Sequence, residues 1–173
     1  MRARELIPFL DEPYVLFNPG GGGHLIGNEP GGKVFEDLAG KLHRQTGVPV
    51  VLVYGPNYNG PQNPSKGVFA FTAMEPEIFN VTIKHACVFI SGGGGALFQA
   101  AAYQVPTWAI SLSPDQDRRI EALCSKHDFI KRYSTFEDLT LGIKTCMSET
   151  KNSVTISEGN EELISQRIEK LLN

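Results

Sequence analysis

The chain alternates short, wholly apolar runs with longer stretches that are apolar only at every third or fourth residue. Tyr14-Val15-Leu16-Phe17 is the first run, and it opens into Asn18-Pro19 and four glycines, Gly20 to Gly23. A buried strand entering a glycine-rich turn has this form. Val34, Phe35, Leu38, Ala39 and Leu42 then recur at helical spacing until Gly47 and Pro49 stop the pattern. Val50-Val51-Leu52-Val53-Tyr54 is apolar throughout and rich in β-branched residues, as a central parallel strand is. The stretch from Gly55 to Pro64 holds too many Gly, Pro and Asn for regular structure. Val68–Phe71 reads as a third strand, Pro76–His85 as a helix, and Cys87-Val88-Phe89-Ile90 as a fourth strand that ends in four more glycines, Gly92 to Gly95. The helix predicted over 96–104 is apolar on most sides, hence buried. Thr107–Ile110 is the fifth strand, and Ser113-Pro114-Asp115-Gln116 starts a helix running to about residue 126. Further helices are expected over 136–147 and 160–172, the last with Leu163, Ile164, Ile168, Leu171 and Leu172 on one side.

Strands alternating with helices imply βαβ units and a parallel sheet. The expected fold is α/β: a single doubly wound, Rossmann-like domain over 1–173, with a mostly parallel sheet of about six strands and helices on both faces. Residues 1–13 read as a lead-in with no strand pattern. Ligands of such sheets bind at the carboxyl ends of the strands, near the switch in strand order. Here two strands end in four glycines each.

Composition narrows the partners. Of 173 residues, 41% are hydrophobic and 20% charged, with a net charge of −3 and no basic run. Nucleic acid and anionic membranes need clustered Lys or Arg and are not expected partners; a small phosphate ligand, held by backbone N–H groups, remains open. Cys87, Cys124 and Cys146 are too few and too scattered for a disulfide framework or a C-x-x-C metal site. No signal peptide and no apolar stretch of ~20 residues is found, so no transmembrane segment is expected and the cytoplasm is the default. The residues call for no cofactor and no metal.

Glycine lacks a Cβ, so its backbone can approach a ligand closely. When a glycine loop runs into a helix, the unpaired first-turn N–H groups carry the positive end of the helix dipole. Gly92-Gly93-Gly94-Gly95 before Ala96-Leu97-Phe98 therefore describes an anion site suited to a diphosphate, or else a tight strand-to-helix crossover that needs glycine for packing. The first loop is no P-loop, because no Lys-Ser or Lys-Thr follows it at the required spacing. It is also a poor dinucleotide fingerprint: Asn28 to Gly32 intervene before the helix, and no acid closes the second strand to hold a ribose. His24, just after that loop, could donate to a phosphate or act as a general base; His43, His85 and His127 form no ligand pattern.

From Phe71 to Leu123 the chain resembles the C-terminal, donor-binding domain of GT-B glycosyltransferases, especially the enzymes that add N-acetylglucosamine to the peptidoglycan lipid precursor. The resemblance lies in Phe89-Ile90-Ser91-Gly92-Gly93-Gly94-Gly95, in Ala100-Ala101-Ala102-Tyr103-Gln104-Val105-Pro106 and in Asp115-Gln116, with Asn18-Pro19-Gly20-Gly21-Gly22-Gly23 matching the glycine turn after that domain's first strand. It implies substrate contacts at Gly21, Gly22 and Gly23, a uracil near Met74 and Glu75, a diphosphate at Gly93, Gly94 and Gly95, and a donor sugar at Asp115 and Gln116. The acid that would hold the ribose falls on Gln99, whose amide can bond a diol without a carboxylate's charge. No Asn follows Asp115-Gln116, and Arg118 and Arg119 stand nearby. Ser113-Pro114-Asp115-Gln116 is also a capping box with Pro at N1, a purely structural use of the same residues.

The implied function is to bind UDP or a UDP-sugar within a glycosyltransferase whose acceptor site lies in a second domain or subunit. A sugar-nucleotide epimerase or hydrolase, and a nucleotide- or phosphate-binding module without turnover, are the competing readings. No residue beyond His24 is a candidate base.

Overall fold

A computed structural model describes residues 2–21, 23–26 and 28–150, so Gly22 and the helix expected over 160–172 lie outside the described residues. Helix α1 (Arg2–Leu6) opens the lead-in. Ala3, Ile7 and Leu10 follow one another at i, i+4 and i+7 and are buried, so this segment is packed into the core rather than standing off it. Strand β1 (Val15–Asn18) follows, then a hairpin of β2 (Leu25–Ile26) and β3 (Glu29–Pro30), and helix α2 (Gly31–Thr46). Next come β4 (Val50–Val53), β5 (Val68–Phe71), α3 (Pro76–His85), β6 (Val88–Gly92) and α4 (Gly95–Tyr103). The described chain closes with β7 (Thr107–Ile110), α5 (Pro114–Cys124), β8 (Ile130–Arg132) and α6 (Phe136–Thr150).

Six of these strands form one sheet, parallel throughout, in the order β5-β4-β1-β6-β7-β8. Val15 of β1 stands opposite Val50 of β4 and Val88 of β6. Counted along the chain this is the 3-2-1-4-5-6 order of a doubly wound sheet, which reverses direction between β1 and β6. The α/β reading of the sequence is correct.

Because side chains alternate along a strand, each central strand feeds two cores. Val15, Phe17, Val50, Leu52, Val88 and Ile90 face α2 and α6, where Phe35, Ala39, Leu42, Leu139 and Ile143 meet them. Leu16, Val51, Val53 and Phe89 face the opposite way, against Ala3 and Ile7, Ile78 and Ile83 of α3, and Ala100 of α4. A third cluster joins Leu97 and Ala101 of α4 to Ile120 and Leu123 of α5. In α6, Gly142 lets the helix lie on Trp108: a Cβ there would come within 2.2 Å of the indole.

Three details depart from the sequence reading. Strand β8 and the β2–β3 hairpin have no strand pattern of their own, and α4 begins at Gly95. The two edges of the sheet differ in chemistry. β8 carries Lys131 and Arg132, both exposed, whereas β5 is Val68-Phe69-Ala70-Phe71 without a charge. Phe9 packs on Phe69 at 4.5 Å between ring centroids and still leaves it 42% exposed.

Candidate functional site

Both glycine loops stand at the carboxyl ends of β1 and β6, adjacent central strands on either side of the switch in strand order. Asn18, buried at the end of β1, begins the assembly. Its Nδ2 donates to the Val53 carbonyl at 2.8 Å, and its Oδ1 accepts the Gly20 N–H at 3.1 Å. The loops then close on one another through backbone contact. A Cβ on Gly92 would lie 2.5 Å from the Pro19 carbonyl oxygen, and one on Gly55, after β4, would lie 2.0 Å from that of Gly20. Packing requires both glycines, and at Gly55 a φ of +98° adds a second demand.

Gly94 and Gly95 are different. Neither has a positive φ; a Cβ on Gly94 would meet only the Gly20 Cα, at 4.0 Å, and one on Gly95 would meet nothing within 4 Å. Among the described residues nothing demands glycine at either position. Gly94 is the N-cap of α4 and supplies no side-chain cap, so the helix begins with its first-turn N–H groups unclaimed by the side chain of any described residue. Gly21 and Gly23 in the first loop are similarly open.

Gly93 plays another part. Its N–H donates to Gln116 Oε1 at 3.0 Å, its carbonyl accepts from Arg119 at 2.9 Å, and a Cβ would lie 2.6 Å from Gln116 Cβ. Gln116, only 4% exposed, also accepts the Leu112 N–H at 3.0 Å and so ties the second glycine loop to the start of α5. The capping box expected at Ser113 does not form. Pro114 does sit in the first turn, but the Ser113 hydroxyl donates to Asp115 Oδ1 at 2.6 Å, and the Gln116 carbonyl reaches Leu112 and Gly93 instead of the Ser113 N–H. A nonlocal partner outcompetes the local one.

His24 is brought to this cluster: Gln116 Nε2 lies 3.4 Å from His24 Nε2, while the His24 carbonyl accepts the Gly31 N–H at 2.8 Å. If Gln116 donates there, the imidazole proton is on Nδ1. Asp115 is exposed and paired with Arg119 at 2.8 Å. The Ser113 hydroxyl first, then its own backbone N–H and Arg119, hold its carboxyl below the ordinary range, so it is an anion at neutral pH.

The remaining expected residues lie on the same edge but farther off. Met74 is half-buried, with its sulfur 3.8 Å from Thr82 Oγ1, and Glu75 is the exposed N-cap of α3. They follow β5, three strand spacings from β6, or about 14 Å. Gln99 is one turn into α4, about 6 Å along the axis from Gly95; it is half-buried and its side chain makes no hydrogen bond to a described residue. His43 and His127 pack locally: His43 Nδ1 lies 2.7 Å from the Val48 carbonyl oxygen, and His127 lies against Phe129. Burial pushes the Cys87 thiol up to about 12, and it donates to the Tyr14 carbonyl. A cavity of about 300 Å³ between α1 and α3, lined by Ala3, Leu10, Ile78, Val81 and His85 among others, is separate from the glycine loops.

The fold is similar to part of solved glycosyltransferases, the enzymes whose GT-B class the glycine and Asp-Gln motifs resemble. Two solved structures are similar over nearly the whole chain: the glycosyltransferase of kitacinnamycin (TM-score 0.59, 16% identity, 93% of this chain and 38% of that one) and the spinosyn forosaminyltransferase (TM-score 0.54, 15% identity, 95% and 46%). The chain thus spans less than half the length of either. No family model and no curated protein matches it. Among the described residues no helix is long and apolar enough to cross a membrane.

Proposed function

We propose that this chain is the donor-binding part of a glycosyltransferase, holding UDP or a UDP-sugar at the two glycine loops and meeting its acceptor through a second domain or subunit. One observation carries the reading: Gly94 and Gly95 are glycine where neither φ nor packing against the described residues requires it, at a helix start beside Gly20 of the first glycine loop. A diphosphate there would receive the α4 N–H groups and the positive end of its dipole. The same end would stabilise the charge that develops on the diphosphate as the anomeric carbon–oxygen bond breaks and its electron pair passes to UDP. Gly93 and Gln116 hold the second loop in place; Gly21 and Gly23 flank the phosphates. Met74 and Glu75 receive the uracil, Gln99 a ribose hydroxyl, and Asp115 the donor sugar. A cytoplasmic setting belongs to the same reading, with Cys87, Cys124 and Cys146 held in no disulfide among the described residues.

A nucleotide-binding module without turnover is the second reading, and Gln99 favours it, because an amide binds a diol more weakly than a carboxylate does. Calorimetry with UDP and NAD tests the shared premise. UDP should bind about tenfold tighter or more, a difference of at least ~1.4 kcal/mol; tight NAD binding with none for UDP would overturn both readings. Transfer separates the two. Offered UDP-sugars and lipid or sugar acceptors, the chain alone should transfer no sugar, because on this reading the second domain or subunit aligns the acceptor hydroxyl and excludes water. Efficient transfer without an added protein would show that this domain carries its own acceptor site and base.

A further inference from the structure

Glu36 is a buried carboxylate that the donor site leaves unexplained. It projects from α2, is 3% exposed, and faces the irregular segment 55–64 that leaves β4. Its Oε2 accepts the Tyr54 hydroxyl and the Asn63 backbone N–H, the latter at 3.0 Å, while Lys33 Nζ donates to Oε1 at 3.3 Å. A carboxylate is tolerated out of water only when donors such as these replace its hydration. Tyr58 stacks flat on Tyr54, with centroids 4.7 Å apart and planes 5° apart, and donates its hydroxyl to the Pro61 carbonyl at 2.9 Å. Gly32 makes room for that ring: a Cβ there would lie 2.6 Å from it. A segment whose composition looks shapeless is therefore clamped to α2.

Between the clamped points lies Asn57. Its N–H donates to the Gly21 carbonyl at 3.0 Å, which joins the segment to the first glycine loop. Its side chain is exposed and makes no hydrogen bond to a described residue, with Nδ2 3.8 Å from where a Cβ on Gly21 would stand. Burial of Tyr54, then its bond to Glu36, pushes the Tyr54 hydroxyl far above its usual range, so it remains a donor at any working pH.

We propose that Asn57 contacts the ligand of this site and that Glu36 is the positioning residue that holds it there. The inference rests on the donor-binding reading. A nucleoside diphosphate laid across Gly21 and Gly94 passes the free carboxamide, which can donate to a phosphate oxygen and accept from a hydroxyl. Glu36 touches no ligand; it acts through Tyr54, Tyr58 and the Asn63 N–H.

The test uses the full chain, with UDP affinity read by calorimetry and amide exchange at Asn57 and Asn63 read by NMR. Asn57→Ala should keep the parent's melting temperature and slow exchange, and weaken UDP about tenfold. Glu36→Leu should speed exchange at both amides and weaken UDP comparably, and adding Asn57→Ala to it should weaken binding no further. Glu36→Gln should restore slow exchange and affinity, because its amide oxygen can accept both donors. Should Glu36→Leu not fold, Tyr54→Phe, which removes one donor, takes its place with the same signs. UDP binding by Asn57→Ala equal to the parent's, or fully additive losses in the double variant, would overturn the proposal while leaving the donor site standing. A parent chain that binds no UDP or UDP-sugar fails earlier and overturns the donor reading together with it.

Discussion

Alanine at Gly55 is expected to lower stability by about 3–5 kcal/mol, against a total of ~5–15 kcal/mol for a typical domain. Two costs combine at this position. Its φ of +98° lies where L side chains are strained, and the added methyl would stand 2.0 Å from the Gly20 carbonyl oxygen and 3.0 Å from the Gly21 carbonyl carbon. Backbone cannot swing aside as a long side chain can, so the loop after β1 would have to move, and with it Asn18 and the pairing to Val53. Gly47 separates the two costs. Its φ is +71°, but a Cβ there meets nothing within 4 Å, so Gly47→Ala should cost only about 1–2 kcal/mol. Gly23→Ala, in open space, should stay within about 0.5 kcal/mol of the parent. Urea midpoints for the three variants provide the comparison; equal losses for Gly55→Ala and Gly47→Ala would mean that the two loops do not touch as described.

Aspartate at Gly94 should leave the fold intact and abolish UDP binding. Asp is among the best N-cap residues, and Gly94 already has extended backbone, φ −84° and ψ −167°, with no side-chain cap in place. The carboxylate would therefore accept first-turn N–H groups and hold stability or raise it by about a few tenths of a kcal/mol. In doing so it would occupy the donors meant for the phosphate and add a like charge. Losing two charge-assisted hydrogen bonds at ~1.5–3 kcal/mol each predicts a drop in affinity of about 100-fold or more. Gly94→Ser, a neutral cap, should fall between the variant and the parent. Gly93 is a poorer probe, because a side chain there meets Gln116 and disturbs the loop itself. Undiminished UDP binding by Gly94→Asp would place the phosphate elsewhere.

The parts of this fold that could be read in advance are those whose signal is local. Val50–Val53 is buried on both faces, so its run is unbroken, and Pro76 marks the first turn of α3 because its missing N–H has no intrahelical partner there in any case. Strand β8 could not be read this way: an edge strand with one buried residue, Ile130, followed by exposed Lys131 and Arg132, has no periodicity to show. The site divides along the same line. Both glycine loops are visible as composition, yet which glycines serve packing and which stand open depends on Pro19, Gly20 and Gln116, residues up to 74 positions away. Gln116 looks like the far half of a capping box until the Gly93 N–H is found beside it. Glu36 shows nothing in sequence, because Tyr54 and Asn63 reach it only across the fold.

The strand order also bears on the sequence of events as the chain leaves the ribosome. β1 is made early, but it is flanked by β4 and β6, and Val15 finds its second neighbour only when Val88 has been synthesised. Until then the first glycine loop has one wall, and the apolar faces of β1 and β4 stay partly open. Loop closure over so many residues is entropically slow, which lengthens that interval. A nascent chain stalled before residue 92 should therefore be a client for chaperones, and the two glycine loops can meet only once the chain has been made through Gly95.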